Sequence, residues 1–105
     1  MKPLLCVAAV LTAVALPAVA EDDGEEFLKL MRTNRPKARE LAQKYIDNAA
    51  DKWDGSVFCT PEEDRANARF NAVKAYFEAN EKELWRPQRY LIIQGLRAAF
   101  PCHRS

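Results

Sequence analysis

The chain has 105 residues, 30% of them charged, and a formal net charge of +1 at pH 7. That length holds one domain, and near-neutrality supplies no field that would gather nucleic acid or an anionic membrane surface. Three glycines in the whole chain leave little room for tight β-turns, and the apolar spacing is helical rather than alternating, so an all-α fold is expected.

The chain opens on a processing segment. Lys2 supplies a positive start, Leu4 to Leu16 is an apolar run too short to span a bilayer, and Ala18-Val19-Ala20 is a small-x-small cleavage signal. Residues 1–20 therefore read as a secretory signal peptide cut after Ala20. Residues 21–105 then make up a single domain expected in the periplasm or outside the cell, with no stable membrane insertion once the leader is gone. Loss of Lys2 brings the basic residues level with the 15 acidic ones. Loss of Cys6 leaves Cys59 and Cys102 in an oxidising compartment, where only one intramolecular pairing exists. A domain of about 85 residues is marginal without such a staple.

Four helices are expected along the mature chain. The first spans about Gly24 to Arg32, with Phe27, Leu28 and Met31 on one side, and "TNRP" breaks it. Pro36 suits the first turn of the second, which runs to about Trp53 with Ala38, Leu41, Ala42, Tyr45, Ile46, Ala49 and Trp53 as its core-facing stripe. Gly55 is placed to end it. In "SVFCTPEED", residues 56–64, Thr60 can cap a third helix, Pro61 fits its first position, and Glu63 can close a capping box onto Thr60. That helix continues to about Ala79, with Ala66, Phe70, Val73, Tyr76 and Phe77 inward. "NEKELWRP" turns the chain, and a fourth helix runs from about Pro87 to Phe100, ended by Pro101.

The third helix would measure roughly 28 Å and the fourth roughly 21 to 26 Å. Joined by a short turn, they fold back as an antiparallel pair. Cys59 stands just before the start of one and Cys102 just after the end of the other. A Cys59–Cys102 bridge would thus close the open end of the hairpin of a small four-helix bundle.

The sequence offers little chemistry. His103, the only histidine, is the third residue from the end, and no serine, cysteine or carboxylate near it suggests a triad. There is no metal-ligand set and no phosphate-binding glycine loop. Glu62, Glu63 and Asp64 fall in a first helical turn, where negative charge favours the helix dipole. The chain reads as a non-enzyme without cofactor or metal. Two features suit protein binding instead. Trp85-Arg86 lies on the turn between the last two helices, flanked by Lys82 and Glu83, and is either a lid packed on the hairpin or an interface anchor. "YLII", Tyr90 to Ile93, is apolar all round, so the last helix is either covered on both sides or leaves a patch for a partner.

These residues resemble the type VI secretion immunity proteins of the Rap/Tai kind. Phe58, Cys59 and Pro61 match that family's Phe-Cys-x-Pro, and Ala99, Phe100, Pro101 and Cys102 match its Ala-Phe-Pro-Cys. Tyr45 and Asp47 in "KYIDNAAD" look like its Tyr-x-x-Gly-x-x-Asp segment, with Asn48 and Ala49 in the glycine region. The resemblance implies a small periplasmic all-α protein that binds and blocks a toxin, an amidase-type cell-wall hydrolase among them, and does no chemistry itself. A homodimer stays open. A second reading from a different class is a periplasmic stress chaperone or adaptor on the same scaffold, which would open in acid and expose apolar surface.

Overall fold

The computed structural model describes residues 23–103; the expected signal peptide lies outside the described residues. Four α-helices are arranged in order: α1 Gly24–Arg32, α2 Pro36–Asp51, α3 Arg65–Ala79 and α4 Gln88–Ala99. Among the described residues there is no strand, only the isolated bridges Asp23–Pro87 and Asp54–Phe58. The expected all-α bundle of four helices is borne out.

Local chemistry sets the first two helices. Asp23 accepts the Glu26 N–H at 3.1 Å as the cap of α1. Glu25 and Glu26 stand at its positive end, Lys29 and Arg32 at its negative end. Arg35 is extended because a proline follows it, and Pro36 opens α2. The stripe expected on α2 is only half buried. Of its residues, Ala42 and Ile46 are buried, Ala38 and Ala49 are half-buried, and Leu41, Tyr45 and Trp53 are exposed, while Ala50, outside that stripe, is buried as well. Positions four apart make a strip one side chain wide, and only that strip meets the other helices. Ala66, expected inward on α3, is also exposed; the buried face there is Arg69, Phe70, Val73 and Phe77.

α3 starts four residues later than the capping box predicts, at Arg65 rather than Pro61. The Thr60 N–H is drawn away to the Asp54 carboxylate at 3.0 Å, and Thr60 is buried in the connecting loop. Its hydroxyl caps nothing. Asp64, in the left-handed region at φ 50°, stands at the helix start instead, its carboxylate accepting from the Asn67 side chain at 3.0 Å.

The contact between α3 and α4 is the most extensive in the domain. Gly95 allows it: a Cβ there would stand 2.9 Å from the Tyr76 Cβ, closer than carbon atoms tolerate. The core is built on Phe27, Ile46, Phe58, Val73, Phe77, Leu91, Ile92 and Leu96, all essentially solvent-free. Phe27 sits at its centre, 5.7 Å from the Phe77 ring and 6.1 Å from Tyr45. Burying one such side chain stabilises by about 1.5–3 kcal/mol. Phe58 therefore secures the α2–α3 loop as firmly as any helix residue.

Candidate functional site

The α3–α4 hairpin has two differently built ends. At the closed end, Cys59 and Cys102 are bridged, with Cα atoms 4.9 Å apart. Beside the bridge the Cys59 N–H donates to the Phe100 carbonyl at 2.7 Å. The expected pairing and its place at the mouth of the hairpin are both present.

One turn into α3, Arg69 is buried at 2% exposure. It reaches three carboxylates: Asp54 at 2.7 Å, Asp47 at 2.8 Å and Asp51 at 3.1 Å. Desolvation alone would lower the guanidinium's pKa, but its hydrogen bonds to the three acids more than offset that and hold it charged. Burial likewise pushes the Asp54 carboxyl up, yet the hydrogen bonds from Arg69 and the Thr60 N–H win and keep it below the usual range. The Arg69 Nε and the Thr60 hydroxyl are buried here without a hydrogen-bond partner of standard geometry. The cluster ties α2, the α2–α3 loop and α3 together. Sequence reasoning missed it, although a signal existed: an arginine stands in the core stripe beside Phe70 and Val73, and such a charge requires buried partners. Among the described residues no group of His, Cys, Asp or Glu is placed to hold a metal ion.

At the other end, Glu81–Glu83 form one 3-10 turn before the chain enters α4. The Asn80 side chain donates to the Tyr76 carbonyl at 2.8 Å and fixes the end of α3. Leu84 points inward and is buried. It, not Trp85, is the lid of the hairpin. Trp85 stands out at 65% exposure, the most open large apolar side chain described. The Arg86 guanidinium lies over the Trp85 ring at 4.5 Å and over Tyr90 at 5.2 Å, and pairs with Glu83. Trp85, Arg86 and Glu83 are thus brought into one cluster, with Lys82 on the exposed turn next to it.

The turn is also held from beneath. The first N–H groups of α1, which have no partner within their own helix, donate across to it: Gly24 to the Arg86 carbonyl at 2.9 Å and Glu25 to the Leu84 carbonyl at 3.1 Å. No local sequence pattern marks this contact, because it joins backbone groups some sixty residues apart. The result is an aromatic–cation pair displayed on an ordered turn, which is the composition of an interface anchor.

The family profile of the Rap1a immunity proteins matches residues 23–102. The chain belongs to this family. No curated protein and no solved structure matches it significantly. The match runs from the cap of α1 to the second bridged cysteine, so it covers the whole folded domain. The motif residues that carried the resemblance are scaffold residues in this Rap1a protein. Phe58 is core, Cys59 and Cys102 are the bridge, and Asp47 is an ion-pair partner of Arg69. Membership of an immunity family implies an inhibitor that binds a protein effector rather than an enzyme. Among the described residues no helix is long and apolar enough to cross a membrane.

Proposed function

We propose that this Rap1a immunity protein acts in the periplasm, where it binds a type VI secretion effector of the amidase type and blocks its cleft with the α3–α4 turn. Trp85 and Arg86 are the anchors, with Lys82 and Glu83 at the polar rim. The observation that carries this is the exposure of Trp85 on a turn whose backbone is pinned by α1 and whose underside is filled by Leu84. A tryptophan held in the open gives up little freedom on docking, so most of its burial counts toward affinity. The apolar leader supports the periplasmic location.

The test asks first whether a secreted cell-wall hydrolase is encoded beside the gene, and pairs purified residues 21–105 with that enzyme or, failing one, with a secreted peptidoglycan amidase. Stoichiometric loss of hydrolysis is expected. Trp85→Ala should weaken binding by at least about 2 kcal/mol, roughly thirtyfold, while the domain stays folded. Normal binding by a folded Trp85→Ala protein would refute the anchor. If no hydrolase is bound but unfolded clients are held near pH 3, the chaperone reading takes its place.

A further inference from the structure

A second surface adjoins the anchor. The outer side of α4 and the loop after α2 enclose a groove of about 460 Å³, lined by Trp53, Val57, Tyr90, Ile93, Arg89 and Arg97 among others. It has the size of a site for one or two side chains. Its floor is apolar, and Trp53, Val57 and Tyr90 are exposed there although each is large and apolar. Its wall is preformed. Asp54, one residue from Trp53, is fixed by Arg69, and the Gly55 and Val57 N–H groups close the loop onto Phe58 and Trp53 carbonyls.

The charged side chains that line it are both cationic, with Asp54 behind its wall held by Arg69 and Asp23 bridged to Pro87 at its edge. The groove is lined by two arginines and no carboxylate. From Leu84 to Ser105 the chain carries four arginines and no Asp or Glu, while five acids crowd residues 21–26. Tyr90 belongs to both surfaces, since it lies beneath Arg86 at the turn and lines the groove. The groove therefore continues the anchor along α4.

We infer that this groove takes an apolar or aromatic side chain of the effector that is flanked by carboxylates, as a second point of attachment beyond Trp85. The inference rests on the reading that the effector docks on this hairpin. The arginines exclude a segment with basic flanks by repulsion as much as they attract an acidic one.

The experiment needs no effector, so its failure is separable from failure of the immunity reading. Isotope-labelled residues 21–105 are titrated with N-acetyl-Glu-Phe-Glu-amide and with N-acetyl-Lys-Phe-Lys-amide, tracked by amide shifts in NMR spectra. The acidic peptide should shift residues 53–57 and 89–97 and bind at least about tenfold tighter than the basic one. Arg97→Glu should bring that ratio to about one or invert it. Ile93→Asp, with its fold verified by circular dichroism, should abolish the shifts. Equal binding of both peptides, or shifts confined to residues outside 53–57 and 89–97, would overturn the inference. So would movement of the groove signals on diluting the protein alone, because a second copy of the chain would then be the occupant.

Discussion

The two ends of the α3–α4 hairpin solve opposite problems. The closed end hides its central groups: Arg69 is 2% exposed, Phe58 is solvent-free, and the bridge ties the loop before α3 to the chain just beyond α4. The turn end does the reverse, burying Leu84 and leaving Trp85 open. Stability is concentrated where nothing protrudes, which frees the other end to display a side chain that contributes little to folding. If this division holds, substitutions at the closed end change stability and spare binding, and substitutions at the turn do the opposite.

The largest expected effect comes from opening the bridge. Replacing Cys59 and Cys102 with serine frees a loop with sequence separation 43, which costs roughly 4 kcal/mol in the chain-entropy account. The unfolding free energy obtained from urea titration should fall by that amount. Below the new midpoint, affinity for the effector should stay within about twofold of the native value, since the turn is held independently by α1. A parallel loss of affinity in still-folded protein would break the comparison.

Next comes Arg69→Met, which takes the cation from the partly covered Asp54 carboxylate and should cost about 2 kcal/mol. It also changes the pH dependence. In the native protein Asp54 titrates below its usual value of 3.8. Its contribution to stability is therefore fully present above pH 3.8 and is lost as pH falls through the lower folded value. Without Arg69, burial is the main influence left on Asp54, so that loss in acid should shrink or reverse. Urea midpoints at pH 7, 5 and 3.5 for both proteins measure this, and identical pH profiles would show that Arg69 does not hold Asp54 ionised.

The helices are legible because their signals are local. Asp23, Pro36 and the 27-28-31 stripe mark α1 and α2 within a few residues, and the two cysteines that follow the expected leader allow one pairing. The start of α3 departs from the capping rule because Asp54 competes for the Thr60 N–H, a contact set by the folded loop and invisible to local pattern. The Arg69 cluster escapes sequence reasoning because its carboxylates come from α2 and the loop after it. Trp85 is legible as a candidate but not as an exposed one. Whether Leu84 or Trp85 faces inward depends on where α1 docks under the turn.

Trp85→Ala is the mirror of the first two changes. The side chain is largely open, so stability should move by less than about 0.5 kcal/mol. Affinity should drop about thirtyfold or more. Leu84→Ala makes the matched control: it empties a buried site and should cost about 2–4 kcal/mol of stability. If the two alanine variants lose stability equally, Trp85 is a packing residue in solution and the turn is not a displayed anchor.

The smallest effect is expected at Thr60, and there a near-zero result is informative. A capping threonine gives up about 1 kcal/mol when its hydroxyl is removed, because a helix N–H loses its acceptor. In this structure the Thr60 hydroxyl is buried without a partner of standard geometry, and the residue's useful bond is made by its backbone N–H to Asp54. Thr60→Val keeps that N–H, the shape and the β-branch while removing a hydroxyl whose contact with the Asp54 carboxylate falls short of hydrogen-bond geometry. Replacing such a group with an apolar one of equal shape is close to neutral or slightly stabilising. The unfolding free energy of Thr60→Val from urea titration should therefore lie within about 0.5 kcal/mol of the native value, on either side. Asp54→Asn, which weakens both the Arg69 pair and the acceptor for Thr60, should cost several times more. A loss of about 1 kcal/mol or more in Thr60→Val would mean that the hydroxyl caps α3 after all. The closed end would then be held by a helix cap as well as by the buried ion cluster.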